Sequence, residues 1–238
     1  MRAATVGFLL LSQSAVILAI VRRGLVRPFL FFLAYTLALM LRQARLSLLS
    51  TRSPDYLEFW ALTLVIVIPL QILAAGESAY RSLEQFRGLR TSVFAGAAAA
   101  AVVVAVWIQD LQSRQTRFGT FSQADQGVTT ALFLAGVAFT LGLSWIHPQR
   151  RRNARWHELL LLWHFGVLAT ALFLLHRGFF WAGPACTVLS SAGFLAWALL
   201  IRQDGEQSAP NKLTLPSLNT LLRGAWQRVV RCVQPTNS

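Results

Sequence analysis

Residues 56–76 read YLEFWALTLVIVIPLQILAAG, with one charge, Glu58, close to the start. A helix rises about 1.5 Å per residue and the hydrocarbon core of a bilayer is roughly 30 Å thick, so about 20 apolar residues suffice to cross it. Working outward, comparable apolar stretches occupy 4–21, 25–41, 92–109, 127–147, 157–176 and 182–201. Peptide groups in lipid find no water, so each crossing must be a helix that bonds its own backbone. The expected fold is therefore all-α: a polytopic membrane bundle of seven transmembrane helices over 1–202, then a cytoplasmic tail over 203–238.

Composition leads to the same class. Hydrophobic residues make up 55% of the chain and charged residues 13%, with a mean hydropathy of +0.52. A soluble domain carries about 25% charged residues, too many for this chain to supply. The net charge of +13 comes from twenty-one Arg and one Lys against nine acidic residues. The Arg lie in short runs at the edges of apolar segments, where lipid phosphates would meet them, and this pattern points away from nucleic acid. Of the two Cys, Cys186 falls within a crossing and Cys232 in the tail, which supports neither a disulfide nor a C-x-x-C zinc site.

Loop charges predict the orientation. The N-terminus with the second, fourth and sixth connections holds seven Lys and Arg. The first, third and fifth connections with the tail hold fifteen. The heavier side stays in the cytoplasm, so the N-terminus lies outside and the C-terminus inside a bacterial cytoplasmic (inner) membrane. Arg42 and Arg45, on the lighter side, are expected to snorkel or to pair with Asp55 and Glu58. Arg22 and Arg23 follow the first segment directly with no A-x-A-like site, so that segment reads as a retained helix.

Local signals refine the helices. The second is expected to open at Arg27-Pro28. The third carries Pro69, a predicted kink, and should continue beyond the membrane, with Glu77/Arg81 and Glu84/Arg87 as weak pairs on a solvated surface. The fourth is rich in Ala and the fifth offers Gly136/Thr140 and Ala138/Gly142, which predicts that these two form a tightly packed inner pair. His176 to Trp181 read as a short external turn with an aromatic belt. In the tail, an amphipathic helix is expected over about 217–233, its Arg223, Arg228 and Arg231 facing anionic lipids of the cytoplasmic leaflet.

Catalytic chemistry is not legible. The seven segments hold no Asp, Glu, Lys or Arg at mid-span, which argues against a proton-driven carrier and a voltage sensor. His157 and Glu158 are followed by Leu161, so the H-E-x-x-H zinc pattern fails. No catalytic, cofactor or metal residue is assigned, and the chain is not expected to be an enzyme. The candidate intramembrane polar site consists of Gln13, His164, Ser190 and Ser191, with His164 expected to bond a hydroxyl of Ser190, Ser191 or Thr187.

Three likenesses add context. From Arg22 to Arg90 the chain resembles a set of heptahelical proteins of soil bacteria such as acidobacteria. It does so through Arg22-Arg23, the aromatic run Pro28 to Tyr35, Tyr56 with Phe59-Trp60, and Glu77 to Arg81. That set implies a fold and carries no activity over. The layout is also similar to the membrane sensor regions of bacterial histidine kinases, although no output domain follows residue 201. Pro148-Gln149 with Asn153 looks like one PQ-loop of the sugar and amino-acid carriers, but the first half has no matching Pro-Gln. The expected function is a non-enzymatic sensor or scaffold module with a cytoplasmic or membrane protein partner. The alternative is a facilitator of a small neutral solute.

Alkaline carbonate is expected to leave the chain in the membrane pellet and detergent to release it. Recovery in the carbonate supernatant would overturn the reading.

Overall fold

The apolar runs at 4–21, 56–76 and 92–109 form helices that outlast them at both ends. The computed structural model describes residues 2–50, 53–84, 86–113, 118–146, 151–202 and 205. These form α1 (Arg2–Arg22), α2 (Leu30–Ser47), α3 (Pro54–Ser82), α4 (Arg87–Ser113), α5 (Phe118–Ile146), α6 (Arg152–His176) and α7 (Ala182–Leu200). All but α2 are long and apolar enough to cross a membrane, as a multi-pass membrane protein requires. Helix α2 falls short because Arg42, Gln43 and Arg45 lie in its C-terminal third. The tail helix expected at 217–233, with Arg223, Arg228 and Arg231, lies outside the described residues.

Helix ends follow from local chemistry. Gly24 and Gly178 have φ of 65° and 86°, the left-handed conformation that glycine adopts without a Cβ clash. Each closes a helix with two reversed bonds. At α1, Gly24 N–H donates to the Val21 carbonyl and Leu25 N–H to that of Ile20. At α6, Gly178 donates to Leu175 and Phe179 to Leu174, the double closure known as a Schellman motif. The turn that follows leaves Phe179, Phe180 and Trp181 exposed, as an aromatic belt requires. At the start of α3, the Ser53 hydroxyl accepts the Tyr56 N–H at 3.3 Å and Pro54 fills the first helical position. Helix α3 then runs unbroken through Pro69. Pro28 departs from expectation, since it sits in the turn before α2 and the helix starts at Leu30. Bonding of Phe29 N–H back to the Leu25 carbonyl holds that turn.

Helix α3 is the hub, touching α2, α4, α5 and α6, while α1 lies against α7 and α2, and α6 against α5 and α7. The expected inner pair of α4 and α5 is not found. Helix α4 packs on α3 and α5 on α6, and both have only 11% of their most apolar stretch buried. Their small residues serve other neighbours. A Cβ added to Gly76 of α3 would lie 2.5 Å from the Ala97 Cβ of α4, and one on Gly136 of α5 would collide with Leu162 of α6. The far side of α4 displays Val102, Val103 and Val106 at 61–66% exposure, a surface that lipid covers and water would not tolerate.

The interior is aromatic near α2. Phe29, Phe32 and Tyr35 are buried, with Phe32 stacked on Trp197 at 4.4 Å between centroids and Phe29 edge-on to it at 4.9 Å. A second apolar cluster joins Leu64, Ile68 and Ile72 of α3 to Ala101 and Ile108 of α4 and Phe121 of α5.

Gly76→Leu should therefore force α3 and α4 apart at a cost of about 1–3 kcal/mol, read as a lower unfolding midpoint in detergent. Gly96→Ala, whose Cβ meets nothing within 4 Å, should be neutral or stabilising by up to about 1 kcal/mol. Equal midpoints for the two variants would refute the contact.

Candidate functional site

Polar side chains gather where the C-terminal ends of α1, α3 and α7 meet the N-terminal ends of α2, α4 and α6. The first N–H groups of any helix lack partners within it, and the N-cap residue of α2, Phe29, has no side-chain oxygen to offer. Glu77 of α3 supplies the acceptor. Its carboxylate takes the Phe31 N–H at 3.2 Å and the Phe32 N–H at 3.0 Å, and its negative charge faces the positive end of the α2 dipole. One helical turn on, Arg81 donates to the Pro28 carbonyl at 2.8 Å and lies 4.0 Å above the Phe29 ring.

Neighbouring groups follow the same logic. Arg23 donates to the carbonyls of Ala198 (2.7 Å) and Ile201 at the end of α7, where the carbonyls lack helical partners. Asn153 exchanges two bonds with the Arg202 backbone, at 2.6 and 3.2 Å, and is fully buried. That is a structural latch for the residue that carried the PQ-loop likeness. Glu158 accepts the hydroxyls of Ser82 (2.7 Å) and Thr140, joining α6 to α3 and α5. His157 is fully buried, its Nδ1 accepting the Trp197 indole N–H at 3.1 Å. Glu84 pairs with Arg151 at 2.6 Å.

These bonds correct the expectation of a solvated extension at the end of α3. Glu77 is only 7% exposed and its carboxylate is committed to α2, while Glu84 reaches across to the start of α6. Around them opens a cleft of about 760 Å³ whose walls carry Arg27, Arg81, Arg90 and Arg151 with Phe31, Tyr80 and Phe94. Arg90 lies 4.8 Å from the Tyr80 ring centroid, and its buried Nε has no hydrogen-bond partner among the described residues. Arg27 is exposed. With Glu77 capping α2 and Glu84 paired to Arg151, the four guanidinium groups leave positive charge in surplus. The arrangement can bind an anion through charge-assisted bonds while aromatic faces flank it. The sequence contained the signal, because Arg27, Arg81, Arg90 and Arg151 all belong to odd-numbered connections and must share one face.

The polar residues singled out along the sequence are placed as follows. His164 lies 2.9 Å from the Tyr35 hydroxyl, so its partner is a phenol on α2 and not a hydroxyl of α7. The Ser191 hydroxyl donates to the Thr187 carbonyl at 2.8 Å, and Ser190 sits 3.9 Å from the Cys186 sulfur. His164 and Ser190 border one void of only about 10 Å³, to which neither Gln13 nor Ser191 contributes. Gln13 is buried in α1, its Oε1 without a partner among the described residues.

At the opposite end, Arg42 does not snorkel. It is 6% exposed, lies 5.0 Å from the Trp60 ring centroid and meets the field of Asp125, itself buried on α5. Asp125 bonds Thr129, which also accepts from Gln71 at 3.2 Å. Arg45 is exposed, as snorkelling requires. Comparison with protein-family models, curated proteins and solved structures returned no match.

Replacing Glu77 by Ala leaves the Phe31 and Phe32 N–H groups without an acceptor and should cost about 2 kcal/mol. Glu77→Gln, which keeps one acceptor oxygen, should recover roughly half. Denaturant or thermal titration in detergent measures both, and wild-type midpoints for Glu77→Ala would remove the cap from the account.

Proposed function

We propose that the chain is a non-catalytic sensor or scaffold module of a bacterial cytoplasmic membrane, and that the four-arginine cleft is where it holds a ligand or partner. On this reading all seven helices span, α2 included, with the N-terminus outside. The asymmetry of loop charge supports that orientation and puts the cleft at the cytoplasmic face, because Arg27, Arg81, Arg90 and Arg151 belong to the heavier side. The basic tail would lie beside it on the same leaflet, with Arg223, Arg228 and Arg231 near anionic headgroups.

The observation that carries the reading is the surplus of positive charge in a cleft of about 760 Å³. A structural ion-pair network balances its charges, whereas here Arg27 stands exposed at the cleft and the buried Nε of Arg90 has no partner among the described residues. Facilitated passage of a neutral solute draws less support. His164 and Ser191 are engaged in separate contacts, His164 and Ser190 border only a very small void, and Gln13 is buried in α1 away from it.

A photo-crosslinking benzoylphenylalanine at Tyr80, which keeps an aromatic ring in the cleft, is expected to give a discrete and reproducible adduct in cells. The control is the same residue at Leu134, 59% exposed on the lipid side of α5. No adduct at Tyr80, or the same pattern at both sites, would sink the proposal.

A further inference from the structure

A second cavity, about 380 Å³, lies between α3, α4, α5 and α6, where α4 and α5 leave a gap. Its walls are apolar and short-chained, among them Gly76, Ala79, Gly96, Ala100 and Ala135. Two polar groups line it: Glu158, already bonded to Ser82 and Thr140, and Ser78, 5% exposed, whose hydroxyl has no partner among the described residues.

The two cavities draw on the same three helices, α3, α4 and α6, and share no lining residue. On α3, Glu77, Tyr80 and Arg81 face the cleft, while Gly76, Ser78 and Ala79 face the apolar cavity. On α4, Arg90 and Phe94 border the first, Val93 and Gly96 the second. On α6 the lining passes from Ala154 in the cleft to Phe165 in the apolar cavity. The eleven steps from Ala154 to Phe165 rise about 16 Å, close to the depth of one leaflet of a roughly 30 Å core. Surplus positive charge thus sits at the end of the bundle, and the apolar space lies deeper along the same helices.

We infer that the two cavities form one site for an anionic membrane lipid, its phosphate between Arg27 and Arg90 and one acyl chain in the apolar cavity. This rests on reading the cleft as a binding site, and it names the occupant. The phosphate offers acceptors to the guanidinium groups of Arg27 and Arg90, which both line the cleft. The chain fills space that otherwise lacks van der Waals partners. A soluble anion would use the cleft alone and leave the apolar cavity without a role.

The test is native mass spectrometry of the full chain purified in dodecyl maltoside. It is titrated separately with dioleoylphosphatidylglycerol, dioleoylphosphatidylcholine and inorganic phosphate. The expected result is preferential retention of phosphatidylglycerol over phosphatidylcholine, by roughly fivefold for each surplus arginine. Arg90→Gln should reduce that preference about fivefold, and Arg27→Gln, a change at an exposed position, should do the same if Arg90→Gln fails to fold. Gly96→Phe places a ring where a Cβ meets nothing within 4 Å, and should displace the acyl chain and lower retention of both lipids. Equal retention of the two lipids, or wild-type binding by Arg27→Gln and Gly96→Phe, would overturn the assignment. Competition by inorganic phosphate, with Gly96→Phe indifferent, would reveal a soluble-anion site: the lipid is then wrong while the binding module stands. Absence of any occupant in the Tyr80 crosslinking experiment would instead remove the module itself.

Discussion

A helix that begins inside a low-dielectric layer brings its unbonded N–H groups with it, and those of α2 begin beside the buried rings of Phe29 and Phe32. Water cannot be relied on to satisfy them, and leaving a buried donor unpaired costs about 1–3 kcal/mol. Glu77 accepts the N–H groups of Phe31 and Phe32 from the neighbouring helix, so the start of α2 and the end of α3 cannot separate without exposing both. That one carboxylate sets the height of α2 against α3. The register brings Phe32 onto Trp197 and the Tyr35 hydroxyl to His164, which fixes α2 against α6 and α7 in turn.

The same constraint recurs through this layer of the bundle. Helix ends that cannot rely on water recruit side chains from elsewhere: Arg23 for α7, Asn153 for the Arg202 backbone, Arg81 for the Pro28 carbonyl. Most charges placed here are consumed by structure. Those left over, Arg27 and Arg90, stand out because the acidic residues around them are already committed. The proposed binding role draws on this remainder, since a charge held near an apolar boundary and not neutralised by the fold is available to a ligand.

Four buried charged residues show where the sequence reading stopped short. Apolar segments were bounded at 41, 76 and 127, and began at 157. Arg42, Glu77, Asp125 and Glu158 lie within two residues of those limits, yet each is buried at 5–7% exposure inside a longer helix. Hydropathy ends a segment at the first charge, while the backbone ladder continues for as long as each peptide finds its partner four residues on. No charge lies at mid-span of the apolar windows, yet the longer helices carry buried charges toward their ends. The small-residue pattern misled in a related way. Gly136, read with Thr140 as part of a contact to α4, does mark a close approach, but to Leu162 of α6, because spacing along one helix does not identify the neighbour.

What the sequence determined by itself is the helical class, the multi-pass architecture and the face on which arginine accumulates. These follow from the local length and polarity of the chain. Only the tertiary structure decided that Glu77 would cap a helix, that Arg42 would turn inward toward Asp125, and that four arginines from three connections would line one cleft. The reason is physical. Solvation and burial preferences belong to residues and their near neighbours, whereas a hydrogen-bond partner such as the Phe32 N–H for Glu77 lies forty-five residues away and exists only once both helices are in place.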